Sequence, residues 1–267
     1  MSSAGPSIRS GDVYAPRNIK LLIAYDGTDY SGWQRQKHTR TIQGEIEHLL
    51  VRMTGEDVLL NGAGRTDAGV HADGMVAHFT TNSQISCEEF QRGLNAMLPG
   101  AIRILSTEVV AASFHARFSA VGKEYQYEIY TGKIHPPRLR LHTLHVTCPL
   151  DLPAIKLCLA KLQGTHDFSS FENSGSRDKD ASAGRGAVRT IHIARLLEES
   201  PDLIFLQFKG DGFLRNMIRN LVGTLLEVGK GKITSEEFAM VLAAKDRSTA
   251  GPTAPAHGLH LKKVLYE

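Results

Sequence analysis

Strand-like and helix-like patterns are intermixed along this chain without the strict strand–helix–strand rhythm of a doubly wound sheet. Residues 19–25 form a short apolar run that ends at a turn, which predicts a strand. Residues 41–53 carry apolar side chains at helical spacing, and Ser86 with Glu89 has the form of a helix capping box. Further helices and strands follow in the second half. The pattern therefore predicts an α+β fold.

Composition and charge exclude several classes of protein. The longest apolar runs fall far short of the roughly 20 residues of a membrane-spanning helix. Residues 1–16 lack the apolar stretch of a secretory signal and are expected to form a flexible arm. Cys87, Cys148 and Cys158 lack the spacing of a disulfide framework or a metal site. We therefore expect a cytoplasmic protein without a membrane contact, and the net charge of +3 permits nucleic-acid binding.

The densest chemical signal is a glycine-rich segment, residues 61–72, that reads NGAGRTDAGVHA. Its glycines permit close backbone approach, so the segment suits a loop that presents Arg65 and Asp67 to a substrate. The Lys-Ser/Thr ending of a phosphate-binding P-loop is missing, which argues against a nucleotide cofactor. Considered alone, the segment also fits an aspartate that caps its own turn and pairs with Arg65.

Residues 62–72 resemble the catalytic segment of the TruA-type tRNA pseudouridine synthases. The likeness begins near residue 19 and reaches the C-terminus, so it covers nearly the whole chain. Further matching blocks follow in the same order at residues 114–120, 123–127, 164–168, 188–191, 212–220 and 254–259.

The resemblance implies a role for individual residues. Asp67 matches the catalytic nucleophile, and Arg219 matches the arginine that pairs with it. Tyr125 matches the aromatic residue that packs on the target base. Arg65 matches the arginine that helps to displace the flipped nucleotide, and Thr66 is expected to contact the substrate beside it. No metal, other cofactor or redox partner is required by this reaction.

The resemblance also implies an architecture and a partner. Two similar α+β subdomains are expected, whose antiparallel sheets meet at a central basic cleft, and the family acts as a homodimer. The implied substrate is the anticodon stem-loop of tRNA, with uridines 38, 39 and 40 as targets recognised mainly by shape. The predicted division is an arm over residues 1–16, subdomains over 17–112 and 113–267, and a mobile loop over 172–186.

The expected chemistry fits these residue types. A stacked uracil must leave the helix at a cost of a few kcal/mol, and stacking on an aromatic ring recovers roughly 1–3 kcal/mol. An ionised Asp67, with the positive charge of Arg219 beside it, then either attacks the sugar or removes a proton from it to form a glycal. A catalytically inactive tRNA-binding or RNA-chaperone protein is the rival hypothesis, and modification of other uridines is a third.

Other polar residues receive structural interpretations. His71, His115, His166 and His257 lack ligand spacing along the chain and are expected to be hydrogen-bonded structural residues. For Trp33, packing in the core is favoured over contact with RNA. The candidates for contacts with RNA phosphates are Arg138, Arg140, Arg177, Lys179, Arg185 and Lys209.

Overall fold

The computed structural model describes residues 15–173 and 186–267. Within them, five α-helices accompany one ten-stranded sheet, which confirms the α+β prediction. Most of the predicted arm, most of the predicted loop over residues 172–186, and the candidate phosphate contacts Arg177, Lys179 and Arg185 lie outside the described residues. No helix within the described part of the chain is long and apolar enough to cross a membrane.

The N-terminal half supplies one edge of the sheet and two helices. Its elements are β1 (Arg17–Tyr25), α1 (Ile42–Thr54), β2 (Asn61–Gly62), β3 (His71–Thr81), α2 (Cys87–Met97) and β4 (Ile102–Val110). Helix α1 ends at Gly55, whose φ of 72° is left-handed and therefore suits glycine. Both hydrogen bonds of the predicted capping box between Ser86 and Glu89 are present at the start of α2. Local side-chain chemistry thus defines these helix ends.

The C-terminal half supplies the rest of the sheet and three helices. Its elements are β5 (Gly122–Tyr130), β6 (Leu144–His145), α3 (Leu152–Lys161), β7 (Gly164–Asp167), β8 (Val188–Ser200), β9 (Leu203–Gly210), α4 (Met217–Gly229), α5 (Ser235–Ala244) and β10 (Leu259–Leu265). The sequence places Leu214 on the buried side of α4, but the helix begins only at Met217. Asn216 has a φ of 60°, and a left-handed residue cannot continue a right-handed helix.

Strand β10, the last in the sequence, lies in the middle of the sheet. The strand order is β4-β1-β3-β10-β5-β9-β8-β7, with β2 paired to β3 and β6 to β5. β10 runs parallel to β3, where His260 pairs with His71, and antiparallel to β5. The strands of the two halves therefore form one continuous sheet, and the ends of β3 and β5 lie on either side of β10. The division at residue 112 stays a prediction.

The core lies between the sheet and the helices. Ile19, Leu21 and Ile23 alternate along β1 and are completely buried, as expected for the covered face of a strand. Helices α1 and α2 contact each other, and α3 contacts both α4 and α5. Tyr127 of β5 is also fully buried and donates its hydroxyl hydrogen to Pro255 O at 2.8 Å. This packing anchors β5 beside the segment that precedes β10.

Candidate active site

The glycine-rich loop, residues 61–72, includes β2 and the first two residues of β3, and hydrogen bonds hold its centre in place. The backbone N–H of Trp33 donates to Thr66 O at 3.1 Å, and the hydroxyl oxygens of Tyr25 and Thr66 lie 2.8 Å apart. Val70 N–H donates to Asp67 O at 3.2 Å, which closes a turn. Thr66 therefore faces the interior and is buried. The turn that begins at Asp67 presents its carboxylate at the surface of the loop.

Trp33 supports this loop from below. Its indole is fully buried, and a β-carbon at position 62 would lie only 2.6 Å from its ring, so only Gly62 admits this contact. The structure confirms that Trp33 packs in the core. Because glycine has no side chain, the backbone of the loop can pack directly against the Trp33 ring, and this contact positions the loop relative to the core.

Asp67 pairs with Arg219 from the first turn of α4. Arg219 Nη1 donates to Asp67 Oδ2 at 3.2 Å and to Asn216 Oδ1 at 3.0 Å, and Arg219 Nε donates to Ala254 O at 2.8 Å. The sequence places Arg219 on the exposed side of α4 beside Arg215. That expectation is wrong, because the Arg219 side chain is only 17% exposed and points toward Asp67. The pair joins the two halves of the chain.

Tyr125 lies one strand away from the glycine-rich loop. Leu261 of β10 pairs with Ala72 on one side and with Tyr125 on the other. The Tyr125 ring is 8% exposed and makes an edge contact with Phe213, with ring centroids 5.3 Å apart. Burial, and then the negative charge of Asp67, raise the pKa of Tyr125. Its hydroxyl is therefore protonated at neutral pH beside the Asp67 carboxylate.

Arg65 does not join the Asp67–Arg219 pair. It is exposed, and its Nε donates to Gln34 Oε1 at 3.0 Å. The alternative left open by the sequence, in which Asp67 pairs with Arg65, differs from the observed pairing with Arg219. Arg65 is thus exposed at the surface of the glycine-rich loop, while the side chain of Thr66 beside it is buried.

Lys123 lies next to the site and carries a positive charge. The sequence did not indicate a role for it. A β-carbon at position 64 would lie 2.6 Å from Lys123 Nζ, so the ammonium lies directly over Gly64. Burial, followed by the charges of Arg117 and Arg189, lowers the pKa of Lys123 to about 8. Its position in the sequence could have indicated this, because Lys123 lies two residues before Tyr125 and both side chains therefore lie on one face of β5. Together these cations favour an anionic substrate.

Comparison with known proteins identifies the class to which this fold and site belong. The sequence model described as tRNA pseudouridine synthase matches residues 21–119 and 159–267. These two stretches include the glycine-rich loop with Asp67, and α4 with Arg219. The chain belongs to the tRNA pseudouridine synthase family.

Individual relatives support this assignment along almost the full length. The protein named tRNA pseudouridine synthase A 1 from Desulfotalea psychrophila is 60% identical over 250 residues, which cover 94% of this chain and 100% of that protein. The tRNA pseudouridine synthase A of Acetivibrio thermocellus is 46% identical over the same shares of the two chains. A solved structure titled as the archaeal box H/ACA sRNP Nop10-Cbf5 complex is similar over 78% of this chain and 44% of that chain, with 10% identity and a TM-score of 0.34.

Proposed function

We propose that this protein isomerises uridine to pseudouridine at positions 38, 39 and 40 of the tRNA anticodon stem-loop, with Asp67 as the nucleophile. The observation that carries the proposal is the ion pair of Asp67 Oδ2 with Arg219 Nη1, 3.2 Å apart, near enough to the buried Tyr125 for the charge of Asp67 to raise the pKa of Tyr125. The family and its relatives support a tRNA substrate. The protein would act in the cytoplasm as a homodimer.

Binding begins with the removal of the target nucleotide from its stack, because a carboxylate cannot reach a sugar inside a stem. Arg65 is exposed two residues before Asp67, so its guanidinium can occupy the space that the nucleotide leaves. Lys123 adds a positive charge over Gly64, three residues from Asp67, where it can attract an RNA phosphate. The face of Tyr125 then contacts the flipped base, which offsets part of the unstacking cost.

The isomerisation breaks the C1′–N1 bond, rotates the uracil and joins C1′ to C5. N1 gains a proton, and the proton from C5 is released to solvent, so atoms and charge balance without a redox step. Asp67 starts this sequence by attacking C1′ or by removing a sugar proton to form a glycal. Arg219 favours the charged carboxylate in both routes, because it places a guanidinium against Oδ2.

The test is tritium release from tRNA labelled at uridine C5, with wild type, Asp67→Asn and the control Asp57→Asn. Asp57 is exposed and lies outside the glycine-rich loop, so its variant should release tritium like the wild type. Asp67→Asn should retain tRNA binding and lose more than about 1,000-fold in rate, because the amide is not a nucleophile. Full turnover by Asp67→Asn would overturn its assignment.

Substrate transcripts with a single labelled uridine at position 38, 39 or 40 test the choice of site. Release from each of these, with none from a transcript labelled only outside the anticodon stem-loop, is expected. Tight binding by the wild type without release from any transcript would favour the catalytically inactive RNA-binding alternative. Light scattering of the purified protein, which reports its molar mass, tests the homodimer.

A further inference from the structure

Phe118 exposes an aromatic ring on the connection between β4 and β5. The ring is 76% exposed, and it is the only exposed phenylalanine, tyrosine or tryptophan in the part of the chain that the structure describes. A single exposed apolar side chain is ordinary on a protein surface, so exposure alone assigns it no role. The contacts that hold this ring and the charges beside it distinguish it from such a side chain.

A compact turn over residues 114–119 fixes the orientation of the Phe118 ring. The backbone N–H groups of Arg117 and Phe118 both donate to His115 Nδ1, at 3.1 Å and 3.3 Å. His115 N–H in turn donates to Ser119 Oγ at 3.0 Å. The His115 ring packs against the Phe118 ring, with centroids 4.3 Å apart and 34° between the planes. The aromatic ring is thus held before a ligand binds, which lowers the entropic cost of binding.

A cavity of about 530 Å³ opens beside the Phe118 ring, and Phe114 and Tyr266 also line it. Pockets for small molecules measure about 300–1,000 Å³, so this cavity has room for a nucleobase. The ammonium of Lys20 lies over the rings of Phe114 and Tyr266, 5.6 Å and 5.2 Å from their centroids. The charged residues at the wall, Lys20 and Glu267, have opposite signs. The cavity therefore suits a neutral base better than a phosphate.

Positive charges continue from this ring toward the glycine-rich loop. Arg117 Cζ lies 5.8 Å from the centroid of the Phe118 ring. Burial is the main cause that lowers the pKa of Lys123 to about 8, and the charge of Arg117 is the next, so these two cations are neighbours. Lys123 Nζ lies over Gly64, three residues before Asp67. Repulsion between such neighbouring cations decreases when an anion binds between them.

The turn that carries Phe118 is also bonded to the strand beside the glycine-rich loop. Ala116 N–H donates to His78 Nδ1 at 3.1 Å. His78 in β3 pairs with Asn61, the first residue of the loop. The turn and the loop are therefore attached to the same strand, so their separation is fixed, as successive contacts along one RNA strand require.

We propose that Phe118 and the cavity beside it bind a second nucleobase of the RNA substrate, other than the target uracil, while Arg117 and Lys123 contact phosphates between the two bases. Aromatic rings that stack on bases, combined with cations that follow the backbone, are how proteins bind single-stranded nucleic acids. The loop of an anticodon stem-loop supplies unpaired bases for such a contact. This inference rests on the proposed RNA substrate, and Phe118 takes no part in the isomerisation itself.

Filter binding of unmodified tRNA tests the stacking contact. Phe118→Ala should raise Kd by roughly 5–150-fold, which is the effect of truncating an aromatic side chain that stacks on one base. Phe118→Leu keeps an apolar side chain without an aromatic face and should also bind more weakly, whereas Phe118→Tyr should bind like the wild type. The control Met240→Ala removes an exposed apolar side chain on α5 and should keep the wild-type Kd. Circular dichroism verifies that each variant is folded.

The fluorescence of an introduced indole tests whether a base contacts this position directly. Addition of tRNA should quench Phe118→Trp strongly, because a stacked base quenches indole emission. The wild type should change little, since its single tryptophan, Trp33, is buried. Met240→Trp places an equally exposed kind of indole on α5 and should also change little.

The salt dependence of Kd tests the phosphate contact of Arg117. Arg117→Gln should decrease the magnitude of the slope of log Kd against log salt concentration by roughly 0.7–0.9, the loss of one phosphate contact. The control Arg92→Gln, an exposed arginine on α2, should keep the wild-type slope.

The outcomes separate this inference from the proposed function. If the wild type binds tRNA and releases tritium, but Phe118→Ala keeps its affinity or Phe118→Trp is not quenched, the inference is wrong and the proposed function stands. Unchanged affinity together with a loss of dimer mass in light scattering would assign the ring to an interface between two copies and would also overturn the inference. Quenching and weakened binding without tritium release would contradict the proposed function alone. A wild type that does not bind tRNA would overturn both.

Discussion

Arg219 is held by three hydrogen bonds, two from Nη1 and one from Nε. It donates to Asp67, to the side chain of Asn216 and to the carbonyl of Ala254. The planar fork of arginine satisfies these acceptors together, which the single ammonium of a lysine cannot do. The positive charge is therefore in position before the substrate arrives, and such preorganised charge costs no rearrangement during a reaction.

Lys123 provides a test of electrostatics at the same site. Its pKa is lowered from 10.5 to about 8 in the folded protein, so between these values the unfolded chain binds the proton more strongly. Stability linked to Lys123 therefore rises as pH increases from about 8 to 10.5. The unfolding free energy of wild type relative to Lys123→Met should rise by roughly 1–3 kcal/mol over this window.

Urea unfolding at a series of pH values measures this difference for Lys123→Met. Lys133→Met serves as the control for the loss of an exposed lysine on the connection after β5. A wild-type to Lys123→Met difference that is constant from neutral to alkaline pH would contradict the burial of a protonated ammonium over Gly64.

The start of helix α4 links backbone conformation to the site. Asn216 precedes the helix with a φ of 60°, and its side chain accepts from Arg219 Nη1 at 3.0 Å. Asparagine tolerates the left-handed region better than most residues do, because its short amide makes local hydrogen bonds. Helix α4 therefore begins at Met217, and this start places Arg219 in the first turn with its side chain directed toward Asp67.

Substitution of Asn216 should separate this conformational role from the side-chain contact. Asn216→Gly and Asn216→Ala both remove the acceptor of Arg219, so both should lower kcat by about 10-fold. Only alanine meets the steric cost of positive φ, so Asn216→Ala should be less stable than Asn216→Gly by about 0.5–1 kcal/mol. Single-turnover tritium release and urea unfolding measure the two effects. Equal stability of the variants would argue against the left-handed start.

The whole molecule is organised around β10, which pairs with both halves of the chain. It lies parallel to β3 and antiparallel to β5, so the hydrogen-bonded sheet continues from one half to the other. Leu261 is fully buried at this junction and pairs with both Ala72 and Tyr125. Loss of the junction would separate the glycine-rich loop from Tyr125 and Arg219.

This continuity predicts that both halves unfold together. Trp33 is the single tryptophan and lies buried in the N-terminal half, so its fluorescence reports that half, whereas far-ultraviolet circular dichroism reports the whole chain. The two urea transitions should coincide. Leu261→Ala should shift both equally, with a loss of about 2–5 kcal/mol in unfolding free energy. An earlier transition of Trp33 fluorescence would show that the halves unfold separately.

Local signals predicted much of the fold. The strand over residues 19–25, the helix over residues 41–53 and the capping box at Ser86 are confirmed, because the residues that define each of them lie within a turn or two of each other. The predicted start of α4 and the predicted direction of Arg219 are wrong. The direction of Arg219 depends on its contacts with Asp67 and Ala254, which lie far away in the sequence, and the start of α4 depends on the left-handed conformation of Asn216, which apolar spacing does not reveal.

By itself, the sequence determined the α+β class, the glycine-rich loop and the family, because each of them is recognised from local patterns of residues along the chain. The pairing of Arg219 with Asp67, 152 positions away, was implied only through the family resemblance, and the tertiary structure gives its geometry. Only the tertiary structure decided that Lys123 lies over Gly64. The number of residues between two positions predicts their distance in space only when both lie in the same helix or strand. The pairing of β10 with β3 and β5 determines which residues from distant parts of the chain lie in one site.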